Sequence, residues 1–280
     1  MSKIFNRRNN QRIAKVLIWA AAFAVILVML AIIIYVLGKG LPVVNLNFLT
    51  QQPSDAGRAG GISSAIVGTL LVTFVAILVA TPLGVGTAFY LTEYARESTV
   101  TRIIRFSAEC LAGVPSIVYG LFGFIVFVIF LKLGWSVLSG GLTLAIMVLP
   151  TIIRTTEEAI RAVPKIYREV SFSLGGSRWQ TITRAVVPSA LPGITTGIIL
   201  SIGRCVGETA AVILTAGSSL RMPTSLLSPT RTMAVHFYIL AREGISIDIA
   251  YGTAALLIIS VLIIDIVANI LVRVFVAKVR

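Results

Sequence analysis

Long apolar runs separated by short charged segments dominate the chain. Six runs approach or exceed the roughly 20 residues that a helix needs to cross the hydrocarbon core of a bilayer. They lie at 16–37, 63–90, 104–131, 137–153, 190–216 and 249–272. Pro82, Pro115 and Pro192 fall inside the second, third and fifth runs, as membrane helices tolerate where neighbouring helices or a cavity satisfy the backbone. The pattern predicts an all-α integral membrane protein with six transmembrane helices.

Composition agrees with this class. Hydrophobic residues make up 57% of the 280 positions and charged residues only 12%, against about a quarter charged in soluble domains. The net charge of +13 does not indicate a nucleic-acid partner, because the basic residues lie between apolar runs and not in one patch. Counting Lys and Arg by side gives 17 against 6. Because cytoplasmic loops carry the positive excess, both termini and the loop 154–188 are expected in the cytoplasm.

This orientation divides the chain into three parts. Residues 1–15 are predicted to form a basic cytoplasmic N-terminus, 16–61 the first transmembrane helix and an exterior loop, and 62–280 the transmembrane core. The exterior segment 217–248 contains an amphipathic stretch at 232–242. Two interpretations fit the whole segment 217–248: a lid or docking surface for an external protein, or a plain connector.

The residues that metal sites and ATPases require are missing from the sequence. Cys110 and Cys205 lie in apolar runs and His236 is the single histidine, so neither a disulfide framework nor a metal site is predicted. The sequence contains no G-x-x-x-x-G-K-[ST] phosphate-binding loop. We therefore expect that the chain is not an enzyme, hydrolyses no ATP and has no cofactor of its own. If transport is active, a separate ATPase has to supply the energy.

The loop 154–188 has the pattern of a helical hook. Apolar residues recur every fourth position after Pro164, which places them on one helix face. They are Ile166, Val170 and Leu174. The glycine pair that begins at Gly175 ends this helix, and Ser177 is placed to cap a second helix that runs into Pro188. Such a hook either inserts into a groove on a soluble partner or lies on the lipid headgroups.

Two ionisable residues, Arg204 and Glu208, lie inside the fifth run. Four residues apart on a helix, their side chains share one face. Ionisable groups at membrane depth usually face a protein interior or a watery pathway, and arginine suits an anion such as phosphate. The pair is therefore either a structural ion pair or an anion site. Thr209 either adds a hydroxyl or bonds its own helix backbone, and Arg154 either lies on the pathway or marks the cytoplasmic boundary.

Three other residues in apolar runs carry expectations. Glu109 is one turn from Arg105, so a helix ion pair is expected. Asp265 has no nearby cation in the sequence and is expected to satisfy a partner across a helix interface. Pro115 is expected to open a break near a pathway, although a packing kink would leave the same mark.

The loop resembles the EAA loop of ATP-binding-cassette (ABC) importer permeases. That pattern is Glu-Ala-Ala, three residues, Gly, nine residues and Ile-x-Leu-Pro, and Glu169, Gly175 and Pro188 stand at the expected spacing. The departures are Val170-Ser171 for Ala-Ala, Ala185 for Ile and Val187 for Leu. The resemblance implies that the loop is the coupling helix, seated in a nucleotide-binding subunit.

Four further segments resemble phosphate importer permeases, and they occur in the family's order. They are GGISSAIVGTL at 60–70, LAGVPSIVYGLFG at 111–123, LPTIIRTTEEAIRAVP at 149–164 and GRCVGETAAVILTAG at 203–217. The last two favour the PstA type of permease subunit over the PstC type. The resemblance implies the MetI-like fold of type I ABC importers in a prokaryotic inner membrane, with Arg204, Glu208 and Arg154 on the phosphate path.

The resemblance also implies partners. These are a second permease subunit of the PstC type, a dimer of PstB-type ATPase subunits that bind ATP and Mg, and an extracytoplasmic phosphate-binding protein of the PstS type. Two rival functions stay open at this point. One is a permease for another oxyanion such as sulfate or molybdate, and the other is a non-transporting membrane scaffold in which Arg204 and Glu208 are only structural.

Overall fold

The computed structural model describes the backbone of residues 7–279 and the side chains of residues 11–270, so the predicted N-terminal segment 1–15 lies partly outside the described residues. The long helices are α1 (Arg7–Gly40), α3 (Ser63–Phe89), α6 (Val137–Arg161), α9 (Val187–Gly207) and α12 (Ile247–Val279). The shorter helices are α2 (Leu46–Thr50), α4 (Thr99–Ala112), α5 (Ser116–Gly123), α7 (Lys165–Ser173), α8 (Arg178–Thr181), α10 (Ala210–Thr215) and α11 (Met233–Arg242). Strands β1 (Pro53–Ser54) and β2 (Ala59–Gly60) pair antiparallel between α2 and α3.

The predicted all-helical membrane class is confirmed. Within the described residues, five helical segments are long and apolar enough to cross a membrane, and the bent pair of α4 and α5 makes a sixth. The fourth run differs from its prediction, because α6 continues beyond 153 to Arg161. Its charged residues are mostly good helix formers, so the helix extends past the apolar stretch. The predicted loop 154–188 thus begins as the last two turns of α6.

The third run contains a sharp break at Pro115, as predicted. α4 ends at Ala112, Pro115 lies immediately before α5, and the two helical segments meet at 103°. Proline cannot donate the backbone hydrogen bond that would continue α4, and it disfavours helical backbone at the residue before it. After α5 the chain continues through a π-helical segment, Phe124–Phe130.

Close contacts between α3, α6 and α9 build the centre of the molecule. Small residues let these backbones approach each other, as is usual between membrane helices. A Cβ at Gly141 would lie 2.4 Å from Val75 Cγ1 on α3, and a Cβ at Gly197 would lie 1.9 Å from Thr155 Oγ1 on α6. Only glycine fits at these two crossings.

The amphipathic stretch at 232–242 forms α11, which is built into the core. His236 is completely buried there, and its Nδ1 lies 3.3 Å from Nη1 of the buried Arg231. A Cβ at Gly57, in the turn between β1 and β2, would lie 3.2 Å from His236 Cε1, so this turn covers the imidazole. α11 packs on α12, so this part of segment 217–248 is not a detached lid; the alternatives of a docking surface and a plain connector stay predictions.

Helix α1 lies beside α12 and is otherwise uncovered in the single chain. Tyr35 and Tyr251 meet edge to face, with ring centroids 5.9 Å apart. Gly40 packs against the backbone of Tyr251 at the same end of the pair. The apolar side chains on the remaining faces of α1 suit contact with lipid or with another subunit.

Candidate functional site

The fifth apolar run is interrupted at its ionisable residues. α9 ends at Gly207, α10 begins at Ala210, and Glu208 between them has extended backbone (φ −75°, ψ 131°). Glu208 Oε1 accepts hydrogen bonds from the backbone N–H groups of Thr209 (3.2 Å) and Ala211 (3.3 Å). Glycine weakens the end of α9, and the carboxylate satisfies donors at the start of α10 that have no helical partner.

This interruption corrects the geometry predicted for Arg204 and Glu208. Because the backbone leaves the helical conformation after Gly207, residues four apart do not share one helix face. Within the described residues, no salt bridge of 4.0 Å or less joins the two side chains. Arg204 lies exposed in the last turn of α9, where the helix dipole favours a cation. The interpretation as a locked ion pair is therefore wrong for this conformation.

Thr209 lies in the same interruption. Its hydroxyl forms no hydrogen bond within the described part of the chain, whereas Thr215 donates to the carbonyl of Ala211 at 2.7 Å in the usual helical manner. The alternative in which Thr209 bonds its own helix backbone is thus not observed. The hydroxyl stays available to a ligand.

A second broken helix packs against the interruption. α5 crosses α10 so closely that a Cβ at Gly120 would lie 2.8 Å from Ala211 Cα. The Tyr119 hydroxyl donates to the carbonyl of Leu111 at 2.7 Å and ties α5 back to the last turn of α4. Irregular backbone at membrane depth is found where it is buried in protein or lines a watery cavity. The two breaks therefore lie against each other inside the bundle.

Arg154 lies at a different level from Arg204. Gly197 of α9 faces Thr155 of α6, and Gly193 faces Ala159, so Arg154 is near the level of Gly197. Arg204 follows Gly197 by about two helical turns, or roughly 10 Å. It therefore lies farther than Arg154 from the end of the bundle that carries α7. The structure therefore does not bring the two arginines into one site.

A small cavity of about 170 Å³ surrounds Arg154. Three arginines and three glutamates line it with Leu91, Ala108 and Ile153. The charged residues are Arg105, Glu109, Arg154, Glu157, Glu158 and Arg161. Arg154 Nη2 lies 3.4 Å from Glu109 Oε1, and both side chains are more than half exposed. Because the six charges cancel, this cavity is no standing anion site.

The ion pair predicted between Glu109 and Arg105 is wrong. Arg105 Nε instead lies 2.8 Å from Glu157 Oε1 on α6, and its Nη2 donates to the carbonyl of Leu91 at 3.2 Å. Because α4 packs on α6, the side chain of Arg105 lies closer to Glu157 than to Glu109 on the next turn of α4. For Asp265, the described residues show no hydrogen bond or ion pair from its carboxylate, so its expected partner across a helix interface stays a prediction.

The predicted hook is present between α6 and α9. α7 ends at Ser173, and Gly175, with φ +79°, turns the chain away from it. Ser177 and Gln180 then form a reciprocal capping box at the start of α8. No residue of α7 is buried. Ile166, Val170 and Leu174 are 55%, 50% and 83% exposed, respectively. Glu169 is also exposed, and Pro188 lies in the first turn of α9. An uncovered apolar face of this kind suits either a protein groove or the lipid headgroups.

Sequence reasoning missed the contacts that attach the hook to the bundle. Arg168 Nη2 lies 2.6 Å from Oε1 of Glu93, which is in a π-helical turn, Tyr90–Tyr94, at the end of α3. The guanidinium of Arg178 lies 5.4 Å from the centroid of the Tyr94 ring. One signal was available: a glutamate at a helix C-terminus is unfavourable without a cation. The identity of the cation, 75 residues away in sequence, was not available.

These features define the class of the protein: a helical membrane protein with broken spans and an exposed hook. Two solved structures share the fold. The bacterial alginate ABC transporter in complex with an alginate pentasaccharide-bound periplasmic protein has a chain with a TM-score of 0.70 at 14% identity, covering 98% of this chain and 99% of that one. An inward-facing MetNI methionine ABC transporter has a chain with a TM-score of 0.65 at 17% identity, covering 76% and 95%. They support the MetI-like fold.

Residues 80–280 match the model of the binding-protein-dependent transport system inner membrane component family, and the chain belongs to this family. It is 35% identical to "Probable ABC transporter permease protein YqgI" of Bacillus subtilis over 94% of this chain and 95% of that protein. It is 35% identical to phosphate transport system permease protein PstA of Pasteurella multocida, over 83% of each. Against PstA 1 of Mycobacterium tuberculosis, identity is 45% over 58% and 53%. The chain is thus a multi-pass permease subunit of an ABC importer and resembles the PstA type.

Proposed function

We propose that this chain carries inorganic phosphate inward as one half of a heterodimeric pore. The observation that supports phosphate most directly is the similarity to PstA proteins over most of the chain. Following their type, the other half is a PstC-type permease, and a PstS-type binding protein delivers phosphate from the exterior. The 17 to 6 distribution of Lys and Arg supports an orientation with both termini in the cytoplasm.

Arg204 is the residue that we assign to the anion. Its guanidinium has no carboxylate within 4.0 Å among the described residues, and a guanidinium forms strong charge-assisted hydrogen bonds to phosphate oxygens. Arg204 is thus a cation without a counter-ion in the described part of the chain, near the point where two broken helices meet. Such a cation can bind a transported anion. Arg154 lies about two helical turns from the level of Arg204 and is paired with Glu109. We assign it to a later step, in which phosphate competes with the Glu109 carboxylate for Arg154.

Glu208 is assigned to selectivity. Its Oε1 is held by two backbone N–H groups, so the carboxylate is fixed beside the path. A carboxylate accepts a hydrogen bond from a protonated phosphate but repels an oxyanion that has no proton, such as sulfate at neutral pH. Thr209, with its unused hydroxyl, adds a neutral donor. This arrangement favours phosphate over sulfate.

Energy comes from partner subunits. The hook formed by α7 and α8 presents its apolar face, Ile166, Val170 and Leu174, to a groove on a PstB-type ATPase that binds ATP and Mg. The shape of the hook, with Gly175 at its turn, is the feature that supports this role. Glu169 lies on the same exposed helix and is assigned to that interface. Pro188 lies in the first turn of α9, the helix that leads from the hook to the Arg204 site.

Uptake by the complete complex in proteoliposomes tests the proposal. Radiolabelled phosphate uptake should require ATP and the binding protein, and unlabelled sulfate should not compete. Arg204→Ala should lower uptake at least about tenfold, since a hydrogen bond to a charged group contributes about 1.5–3 kcal/mol. Glu208→Gln should raise competition by sulfate. Arg102→Ala, an exposed arginine on α4, is the matched control and should transport normally.

Three results would count against the proposal. Stronger competition by sulfate than by phosphate in the wild type would indicate another oxyanion. Normal phosphate-stimulated ATPase activity and uptake in Arg204→Ala would remove the assigned anion site. A complex that assembles but moves no anion would support the scaffold function.

A further inference from the structure

Arg168, in the middle of α7, joins three separate parts of the chain. Its Nη2 and Nε lie 2.6 Å and 3.1 Å from Oε1 of Glu93 at the end of α3. Nη1 donates to the carbonyl of Val163 at 3.0 Å, and Nη2 donates to the carbonyl of Ile160 at 3.1 Å. Both carbonyls lie where α6 ends, so one guanidinium links the hook to the ends of two core helices.

The contact is largely withdrawn from solvent. The side chains of Arg168 and Glu93 are only 20% and 10% exposed, so their attraction is screened less than that of a surface pair. The guanidinium uses several donors in a fixed planar geometry, which a lysine cannot reproduce. Breaking such a pair leaves a charge that is partly buried and without a partner.

The remainder of α7 makes little contact with the bundle. None of its residues is buried. Ser171 Oγ lies 2.7 Å from Thr181 Oγ1, but this bond stays within the hook because Thr181 belongs to α8. Arg168 is therefore the principal side-chain attachment of α7 to α3 and α6. These two helices pack closely on one another, with Gly84 against Ile152.

We propose that the Glu93–Arg168 pair is the joint that makes the hook and the α3–α6 core move as one body. A displacement of α7 by the ATPase is then passed directly to α3 through Glu93 and to α6 through its terminal carbonyls. The inference rests on the proposed coupling function of the hook. Arg168 and Glu93 are positioning residues: they touch neither phosphate nor ATP but fix the geometry through which the hook acts.

The coupling ratio tests the joint. Phosphate accumulated per ATP hydrolysed is measured in proteoliposomes holding the complete complex. Arg168→Ala and Glu93→Gln should lower this ratio about threefold or more, within the range that mutations along a coupling network produce. Arg168→Lys should restore it only partly. The control is Arg102→Ala, which removes an exposed arginine on α4 that lines neither the Arg154 cavity nor the pocket around Arg168, and it should leave the ratio unchanged.

A distance measurement tests the joint independently of transport. Spin labels are placed at the exposed positions Tyr90 and Ser173, with both native cysteines replaced by alanine. The distribution of distances between the two labels should be narrow with the joint intact and broad in Arg168→Ala, and it should stay narrow in Arg102→Ala. An unchanged ratio in Arg168→Ala overturns the proposal, and so does an unchanged distribution. If the unmutated complex accumulates no phosphate, the proposed function fails, and the distances alone decide the joint.

Discussion

The buried His236 predicts a specific dependence of stability on pH. Burial, with the positive charge of Arg231 as the second cause, lowers the pKa of His236 from 6.5 to about 4. The imidazole is completely buried, and Nδ1 accepts from Arg231 Nη1 at 3.3 Å. Glu243 acts on Arg231 and partly offsets the effect of burial on the pKa of that arginine, which is lowered. The native state therefore holds His236 neutral under conditions in which the unfolded chain protonates it.

The direction and size of the effect follow from these two pKa values. At pH above 6.5, His236 is neutral in both the native and the unfolded state, so it adds no pH dependence to the free energy of unfolding. As the pH falls from 6.5 to about 4, the unfolded state binds a proton that the native state does not, so stability is lost through this window. At about 1.4 kcal/mol per pKa unit, the loss approaches about 3 kcal/mol. Below the native pKa both states are protonated and the loss ends.

Denaturant unfolding of the detergent-solubilised chain, followed by circular dichroism from pH 8 to pH 4, measures this loss. His236→Gln keeps an acceptor for Arg231 but does not titrate. The difference in unfolding free energy between wild type and His236→Gln should change by about 3 kcal/mol across the window, which removes the contribution of other titrating groups. Tyr238→Phe, on the more exposed face of α11, should follow the wild type. Parallel profiles for wild type and His236→Gln would refute the reasoning.

Two further predictions concern packing and docking. Gly197→Ala should destabilise the chain by about 1–3 kcal/mol, because the added Cβ would lie 1.9 Å from Thr155 Oγ1. The control Gly203→Ala should be neutral, because its Cβ meets nothing within 4 Å. Equal melting temperatures for the two variants would contradict the close crossing of α9 and α6. Leu174→Glu places a charge on a side chain that is 83% exposed, so the chain should fold normally but bind the ATPase at least about tenfold more weakly, as expected for a docking anchor. Co-purification with the ATPase measures it, and undiminished recovery would contradict the docking face.

Local patterns determined much of this molecule. Runs of about 20 apolar residues are long enough to require helices in a membrane, and the structure places helices on all six. The hook was predictable because Pro164, the glycine pair at 175–176 and Ser177 act on their own neighbouring backbone through φ restriction, positive φ and capping. The break at Pro115 follows from the missing amide hydrogen in the same way.

The geometry of the candidate site was not predictable from the sequence, and the roles of its residues stay predictions. The sequence identified Arg204 and Glu208 as ionisable groups in an apolar run, and helical spacing then predicted a shared face. The backbone broke between them because the Glu208 carboxylate bonds the amides of Thr209 and Ala211. That competition between side-chain and helical hydrogen bonds is local, whereas the packing of α5 on α10 beside it is a tertiary contact.

Partner choice was decided by tertiary structure alone. Glu109 pairs with Arg154 and not Arg105, and Glu93 pairs with Arg168, because helix packing sets which charges meet across long stretches of chain. His236 is neutral for the same reason, since the turn at Gly57 and the side chain of Arg231 enclose it only after folding. Apolar runs and turn residues act over a few positions and can be read from the sequence. Ion pairs and burial depend on neighbours that only the assembled bundle supplies.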